Sequence, residues 1–375
     1  MGKYTDSVHL GFMGDEQFNS VNPPIYQTST FFKSDFDESN IHAYSRVSNP
    51  TREVLENAIA KLEKGKYGLA FSSGVAAIQS LMGLLKSGDK ILASNELYGG
   101  TLRLFNTFFS NYGIEIHYHD FNSLNEISTS ILNQVKIIYF ETPTNPLLKV
   151  YDIESIVKFS QKNNLISVID NTFATPFNQN PLEFGVDIVI HSTSKFLSGH
   201  SDIIGGLTIT NNEEINAKLK YVQKVVGGIQ SPFDSWLIFR SMKTFAVRME
   251  RHNKNALELA ERLQNNSEIA KLYYPSINDE KEIALRQMSG FGAVVTVELK
   301  ESVNYKSFIK KLKLIKLAES LGGVESLINH SYSMSHGSIP HDQKIYSGIN
   351  ERVFRISVGL EDIDDIYNDI TNALK

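Results

Sequence analysis

The 375-residue chain contains no cysteine. Disulfides, thiolate zinc sites and cysteine nucleophiles are thereby excluded. It also lacks any basic block or zinc-ligand spacing, which argues against a nucleic-acid partner and against a metal site. The formal net charge of −5 comes from 37 basic and 42 acidic residues, well mixed along the chain. No apolar run reaches membrane-spanning length, and Met1-Gly2-Lys3-Tyr4-Thr5-Asp6 has no apolar signal-peptide core. The expectation is a cytoplasmic protein with no membrane partner. What is present is an ordinary globular composition, 41% hydrophobic and 21% charged, over a length sufficient for two domains.

Residues 1–52 are rich in Asn, Ser, Thr and Pro and show little periodicity, as expected of an arm that wraps something. From Arg52 the apolar spacing turns helical, through Val54, Leu55, Ala58, Ile59 and Leu62. Strands are predicted at Leu69–Phe71, Lys90–Ala93, Ile114–Tyr118, Val135–Phe140, Leu165–Ile169 and Val186–Ile190. Helical patterns lie between most of them, including stretches from Gly74 to Leu85 and from Leu102 to Tyr112. Such alternation implies right-handed crossovers and a largely parallel sheet. Ser231-Pro232 then opens one long helix, predicted from Asp234 past Leu263. Beyond it, strands at Ala293–Leu299 and Val353–Val358 flank helices at Tyr305–Lys313 and Asp362–Leu374. The expected division is an arm over 1–52, a large α/β domain over 53–246 and a smaller C-terminal α+β domain over 247–375.

The most informative residue is Lys195. An apolar strand, Val186 to Ile190, stops abruptly in His191-Ser192-Thr193-Ser194-Lys195. Hydroxyls around a lysine at the carboxyl end of a buried strand suit a phosphate or a carbonyl compound. Lysine forms Schiff bases, and a desolvated lysine loses its proton readily. Phe71-Ser72-Ser73-Gly74-Val75 is a second signal, where a strand ends and a helix begins. The free N–H groups there make an anion site; a plain βα turn with an N-cap serine is the other reading. Asp170 ends the strand Leu165–Ile169, either as a turn aspartate or as a ligand group. Ligands in open parallel sheets bind at those carboxyl ends. An anion site, an aspartate and a lysine together describe a pyridoxal 5'-phosphate pocket, with the phosphate on the helix start, Lys195 on the aldehyde and Asp170 on the ring nitrogen. Tyr98, beside Gly99 and Gly100, is either a turn tyrosine or a ring that covers a flat cofactor. Arg355 sits in the apolar strand Val353–Val358, where its planar fork suits a carboxylate of a protein acid or of a substrate.

The ordered motifs carry a family resemblance across nearly the whole chain. They are Pro24-Ile25-Tyr26-Gln27-Thr28-Ser29-Thr30, Tyr44-Ser45-Arg46 with Asn49-Pro50-Thr51, Ser72-Ser73-Gly74-Val75-Ala76-Ala77, Tyr98-Gly99-Gly100-Thr101 and Glu141-Thr142-Pro143-Thr144-Asn145-Pro146. Asp170-Asn171-Thr172, His191 to Lys195, Ala318-Glu319-Ser320-Leu321-Gly322-Gly323 and Arg355 to Glu361 complete them. The chain resembles the Cys/Met-metabolism branch of fold-type I pyridoxal-phosphate enzymes, the trans-sulfuration enzymes. The resemblance implies a mostly parallel seven-stranded sheet in the large domain. It implies that Lys195 holds the cofactor and shuttles protons. Ser73, Gly74, Val75, Ser192 and Ser194 would contact the phosphate, and Tyr98 would stack on the ring and help deprotonate the incoming amine. Tyr44 and Arg46 would reach the phosphate of a neighbouring subunit, which implies an obligate dimer paired into a homotetramer. Asn145, Ser320 and Arg355 would hold the substrate α-carboxylate and orient the cofactor.

Within that family, Gly100 stands where methionine γ-lyases carry a cysteine. Glu319 and Arg103 resemble positions that recognise the distal amine and distal carboxylate in cystathionine-handling members; structural ion pairing is the alternative. The expected reaction is therefore γ-replacement of the cystathionine γ-synthase type, joining an O-acyl-L-homoserine and L-cysteine. Cystathionine γ-lyase is the runner-up, and a non-catalytic cofactor-binding sensor is a third reading. Ser194 for the usual threonine, Phe196 for tyrosine, Ser331 for proline and Ser335 for threonine are departures that remove no reacting group.

Overall fold

A computed structural model describes residues 2–15, 17–36, 42–337 and 341–375. Glu16 and residues 37–41 of the N-terminal arm therefore lie outside the described residues.

Seven strands form the large sheet: β1 Tyr67–Phe71, β2 Lys90–Ser94, β3 Glu115–His119, β4 Val135–Glu141, β5 Ile166–Asp170, β6 Ile188–Ser192 and β7 Gly206–Thr210. Their order is β1-β7-β6-β5-β4-β2-β3. All neighbours are parallel except β7, which runs antiparallel to both β1 and β6. The continuous apolar character of the central strands follows from burial on both faces. In β4, Ile138 and Phe140 enter one apolar cluster, while Ile137 and Tyr139 enter the other.

Five strands form a second sheet: β8 Ile269–Tyr273, β9 Val294–Leu299, β10 Lys316–Leu317, β11 Leu327–His330 and β12 Val353–Ser357, in the order β10-β11-β12-β9-β8. Only the β10–β11 pair is parallel. Helices Tyr305–Lys311 and Ile363–Leu374 pack together beside it. Ile138 of the large sheet and Val295 and Phe354 of the small one belong to the same buried cluster. The two sheets thus share a continuous core, and this holds Arg355 of β12 near the carboxyl ends of the large sheet. Among the described residues no helix is long and apolar enough to cross a membrane.

Helix boundaries follow local chemistry. Asn49 caps the helix Pro50–Leu62 by accepting from the N–H groups of Thr51 and Arg52, with Pro50 in the first turn. The single helix expected beyond Asp234 is two helices, Pro232–Met242 and Phe245–Leu263. The break frees the Ser241 carbonyl to accept from the buried guanidinium of Arg248 at 3.1 Å. Arg248 also donates to the Phe196 and Leu197 carbonyls, at 2.7 and 3.2 Å. The interruption is therefore the anchor for the turn that follows Lys195. The sequence reading did not place β7, β8, β10 or β11; β10 and β11 have only two and four residues, and β7 follows β6 with no helix between them.

Candidate active site

Adjacent strands β4 and β5 end in register at Glu141 and Asp170, and β6 ends beside them at Ser192. Lys195 follows in a tight turn whose Gly199 N–H donates back to the Lys195 carbonyl at 2.8 Å. Lys195 Nζ donates to Ser320 Oγ at 2.6 Å. Burial, then the Arg355 charge, lowers the Lys195 amine to about 8, against the opposing pull of Glu319 and Asp170. Gly322 rests on the same turn; a β-carbon there would lie 2.6 Å from the Phe196 nitrogen.

Asp170 Oδ1 accepts from the Thr172 N–H at 3.0 Å and from the Thr172 hydroxyl at 2.5 Å. Burial raises its carboxyl, while the Thr172 bonds, His191 and Lys195 pull it down. Behind it lies a fully buried His191–Glu63 contact, and Asn171 Nδ2 donates to the same Glu63 oxygen at 2.9 Å. Asn171 in turn meets Gln179, and Gln179 meets Gln287. A polar chain thus backs the strand ends.

The first N–H groups of a helix have no intrahelical acceptor. At the helix Gly74–Gln79, Ser73 Oγ takes the Ala76 N–H at 3.0 Å, which leaves those of Gly74 and Val75 for a ligand. Gly74 lies against Ser192: a β-carbon there would stand 3.0 Å from Ser192 Cβ. A β-carbon on Gly206 would stand 2.2 Å from the Ser73 carbonyl oxygen. Gly206 is in register with both Phe71 and Ser192, so it binds the two hydroxyl-bearing turns together. Ser194 is differently engaged, since its hydroxyl accepts from the Gly205 N–H at 3.0 Å.

Tyr98 opens the helix Gly99–Arg103 and donates its N–H to Glu141 Oε1 at 2.7 Å. Its ring folds over Gly100, where a β-carbon would come within 2.3 Å of Tyr98 Cε1. Burial raises the phenol; Glu319 adds to this, and Arg103 and Arg355 oppose it. Arg355 is buried in β12, donating Nη1 to Asn145 Oδ1 at 3.0 Å and Nη2 to the Ser320 carbonyl at 2.8 Å. Its Nε is buried and has no hydrogen-bond partner among the described residues. Burial lowers this guanidinium to about 10, with Glu319 and Tyr98 opposing. Arg103 and Glu319 are exposed, and among the described residues neither enters an ion pair.

The arm residues stand apart. Arg46 donates to the Lys224 carbonyl and lies 5.5 Å over the Tyr44 ring, at the end of the helix Glu213–Val226. No described contact joins either to the Lys195 cluster. The sequence reading also missed functional neighbours. Glu141 ends its strand as Asp170 does, a signal that was visible. His336 is buried beside Arg355 and lowered to about 4, chiefly by burial and then by that charge. The resemblance marks the neighbouring Ser335 but assigns His336 no role.

These residues fit pyridoxal 5'-phosphate. The Gly74–Ser192–Gly206 cradle is too tight for a β-carbon and leaves N–H donors for a phosphate. Among the described residues the buried Thr193 hydroxyl nearby has no hydrogen-bond partner. Asp170 and the Lys195 amine, whose proton is more easily lost than that of an exposed lysine, supply groups for a ring nitrogen and an aldehyde.

A family model described as "Cys/Met metabolism PLP-dependent enzyme" matches residues 4–375. The chain is 42% identical over 373 residues to a cystathionine β-lyase of Lactococcus lactis subsp. cremoris (strain MG1363), covering 99% of this chain and 98% of that protein. It is 41% identical over 370 residues to a cystathionine γ-synthase/O-acetylhomoserine (thiol)-lyase of Bacillus subtilis (strain 168), covering 99% and 95%. The solved structure of cystathionine γ-lyase from Lactobacillus plantarum, complexed with L-serine, superposes with a TM-score of 0.96 at 41% identity, covering 100% and 98%. Sequence, fold and site chemistry agree, and the chain belongs to the Cys/Met metabolism PLP-dependent enzyme family.

Proposed function

We propose that the protein is a cystathionine γ-synthase, making L-cystathionine by γ-replacement on an O-acyl-L-homoserine with L-cysteine. One observation carries this reading. Arg103 and Glu319 are exposed and, among the described residues, enter no ion pair, yet both lie close enough to act electrostatically on Tyr98, as does the buried Arg355. Cystathionine has an amino-acid group at each end. Arg355 with Asn145 and Ser320 suits the α-carboxylate, Glu319 the distal amine and Arg103 the distal carboxylate.

When bound, pyridoxal phosphate supplies an electron sink for negative charge at the substrate's Cα. Ser73, Gly74, Val75, Ser192 and Ser194 would hold its phosphate, Asp170 its ring nitrogen, Tyr98 its ring face and Lys195 its aldehyde carbon. Lys195 Nζ, free once the substrate amine has taken its place, would take the proton from Cα, pass it to the cofactor's aldehyde carbon and so be free to take one from Cβ, and the Cγ–O bond would break with its electron pair leaving on a carboxylate. The Ser320 hydroxyl keeps that amine aimed at these carbons. Tyr98 assists removal of the amine proton as substrate arrives. Return of protons from Lys195 follows thiol addition at Cγ. Tyr44 and Arg46 complete the phosphate site of a neighbouring subunit in a homotetramer. Exposed Met13, Phe18, Val21 and Phe32 on the arm support such an association.

Cystathionine γ-lyase is the second reading, because the same pocket serves cleavage at Cγ. The test is product identification. Purified enzyme with O-acetyl- or O-succinylhomoserine and cysteine is expected to form cystathionine. Absence of that product, with 2-oxobutanoate released from cystathionine, reverses the order; pyruvate released from cystathionine replaces both by β-cleavage. Borohydride reduction and peptide mapping are expected to find the pyridoxyl group on Lys195.

A further inference from the structure

Glu141 has no part in the chemistry above, yet its burial is costly. The residue is 5% exposed, and among the described residues no cation pairs with it. A buried carboxyl without a cation is retained only if something compensates. The described contact is a single hydrogen bond, from the Tyr98 N–H to Oε1 at 2.7 Å, joining residues 43 apart in sequence. Across β4 and β5 its register partner is Asp170. Glu141 therefore links the strand beside Asp170 to the loop that carries Tyr98.

The Tyr98 ring has little to steady it from below. Gly100 presents no side chain, and Gly99 is flat against the Ser335 carbonyl, which a β-carbon would approach to 2.3 Å. Glu96, two residues before Tyr98, accepts from Thr144 Oγ1 at 3.0 Å and pairs with Lys149, and the bond to Glu141 is the polar tie at Tyr98 itself, the last step from that anchor to the ring. We propose that Glu141 is a positioning residue: its carboxyl anchors the Tyr98 backbone to the end of β4 and so holds the Tyr98 ring over the Lys195 site. This rests on the reading of Tyr98 as the ring that covers the cofactor.

Two buried carboxyls at neighbouring strand ends cannot both ionise cheaply. Asp170 has the Thr172 hydroxyl and N–H as donors and faces Lys195 and His191, so the negative charge belongs there. Glu141, raised by burial and by Asp170, keeps its proton. Its role is that of a neutral acceptor, and an amide can replace it.

The experiment uses the holoenzyme and compares Glu141→Gln, Glu141→Leu, Tyr98→Ala and the double variant Glu141→Leu/Tyr98→Ala. Glu141→Gln is expected to retain the pH–rate profile and visible cofactor band of the parent. Glu141→Leu is expected to lower kcat about tenfold, the worth of one buried hydrogen bond, and to alter the visible circular dichroism of the bound cofactor. The double variant is expected to be no worse than Tyr98→Ala alone, because Glu141 acts through Tyr98. If Glu141→Leu does not fold, Glu141→Asp, which shortens the reach by one methylene, takes its place in the cycle. Additive losses, or a Gln variant as impaired as Leu, overturn the role of Glu141 while leaving that of Tyr98 intact. A fully active Tyr98→Ala enzyme overturns the reading of Tyr98 and this proposal with it.

Discussion

Lys195 Nζ and Ser320 Oγ meet at 2.6 Å across 125 residues of sequence, joining the turn after β6 to the loop before β11. Ser320 has a φ of +77°, a conformation that a non-glycine residue seldom adopts and that the surrounding contacts must enforce. Its hydroxyl is thereby aimed at the amine while its carbonyl accepts from Arg355.

Ser320→Ala is expected to lower kcat/KM about 10-fold, since a hydrogen bond to a charged group contributes about 1.5–3 kcal/mol. Ser320→Gly removes the same hydroxyl but relieves the backbone. It is expected to match the alanine variant in kinetics and to melt at a higher temperature. Steady-state kinetics and thermal denaturation of both variants separate the two effects.

The lowered Lys195 amine sets a pH window. In the apoenzyme this group moves from the ordinary lysine value of 10.5 to about 8. Between these values the unfolded chain binds the proton and the folded chain does not, so this residue's contribution to stability rises with pH from about 8 to 10.5. Only the free amine attacks an aldehyde. The rate at which apoenzyme recaptures pyridoxal phosphate is expected to pass its midpoint near pH 8 and level off about one pH unit above, measured by stopped-flow absorbance. A climb continuing to pH 10 contradicts the buried amine.

Arg355→Lys keeps the charge and loses the fork that spans Asn145 and Ser320. KM for the amino-acid substrate is expected to rise 10-fold or more by this reasoning, at about 1.5–3 kcal/mol for charge-assisted bonds. The visible band of the bound cofactor is expected to persist. Substrate titrations followed by absorbance distinguish this from loss of the cofactor itself.

Gly206→Ala is expected to weaken cofactor binding more than folding. The new methyl group would meet the Ser73 carbonyl at 2.2 Å and push that turn away from Ser192. Equilibrium dialysis of pyridoxal phosphate, set beside the apoenzyme's melting temperature, is the check. Equal affinity in the two proteins would show that the Ser73 turn does not bear on the phosphate.

Much of the site was legible because its residues end strands. Lys195 and Asp170 each follow an apolar run, and an abrupt polar stop after such a run marks the binding edge of a parallel sheet. Glu141 obeys the same rule and was legible on the same terms. The rest depends on contacts no local pattern records. Arg355 comes to the site through a core shared between two sheets. The break near Thr244 comes from Arg248 reaching carbonyls of a distant turn, which overrides an apolar spacing suited to one helix. β7, Gly206-Leu207-Thr208-Ile209-Thr210, is as long as β2 and alternates, but no helix separates it from β6, so a pattern of strands alternating with helices passes over it.

That antiparallel strand also orders the molecule's assembly in time. Because β7 runs against its neighbours, its first residue arrives where β1 and β6 both finish. The turn at Ser73 emerges from synthesis long before Gly206, and the loop between them must close before either turn has its final partner. A nascent chain shorter than this can build its parallel strands and still have no phosphate cradle. If the Ser73 and Ser192 turns hold the phosphate, cofactor capture is expected late in folding, once the sheet is complete.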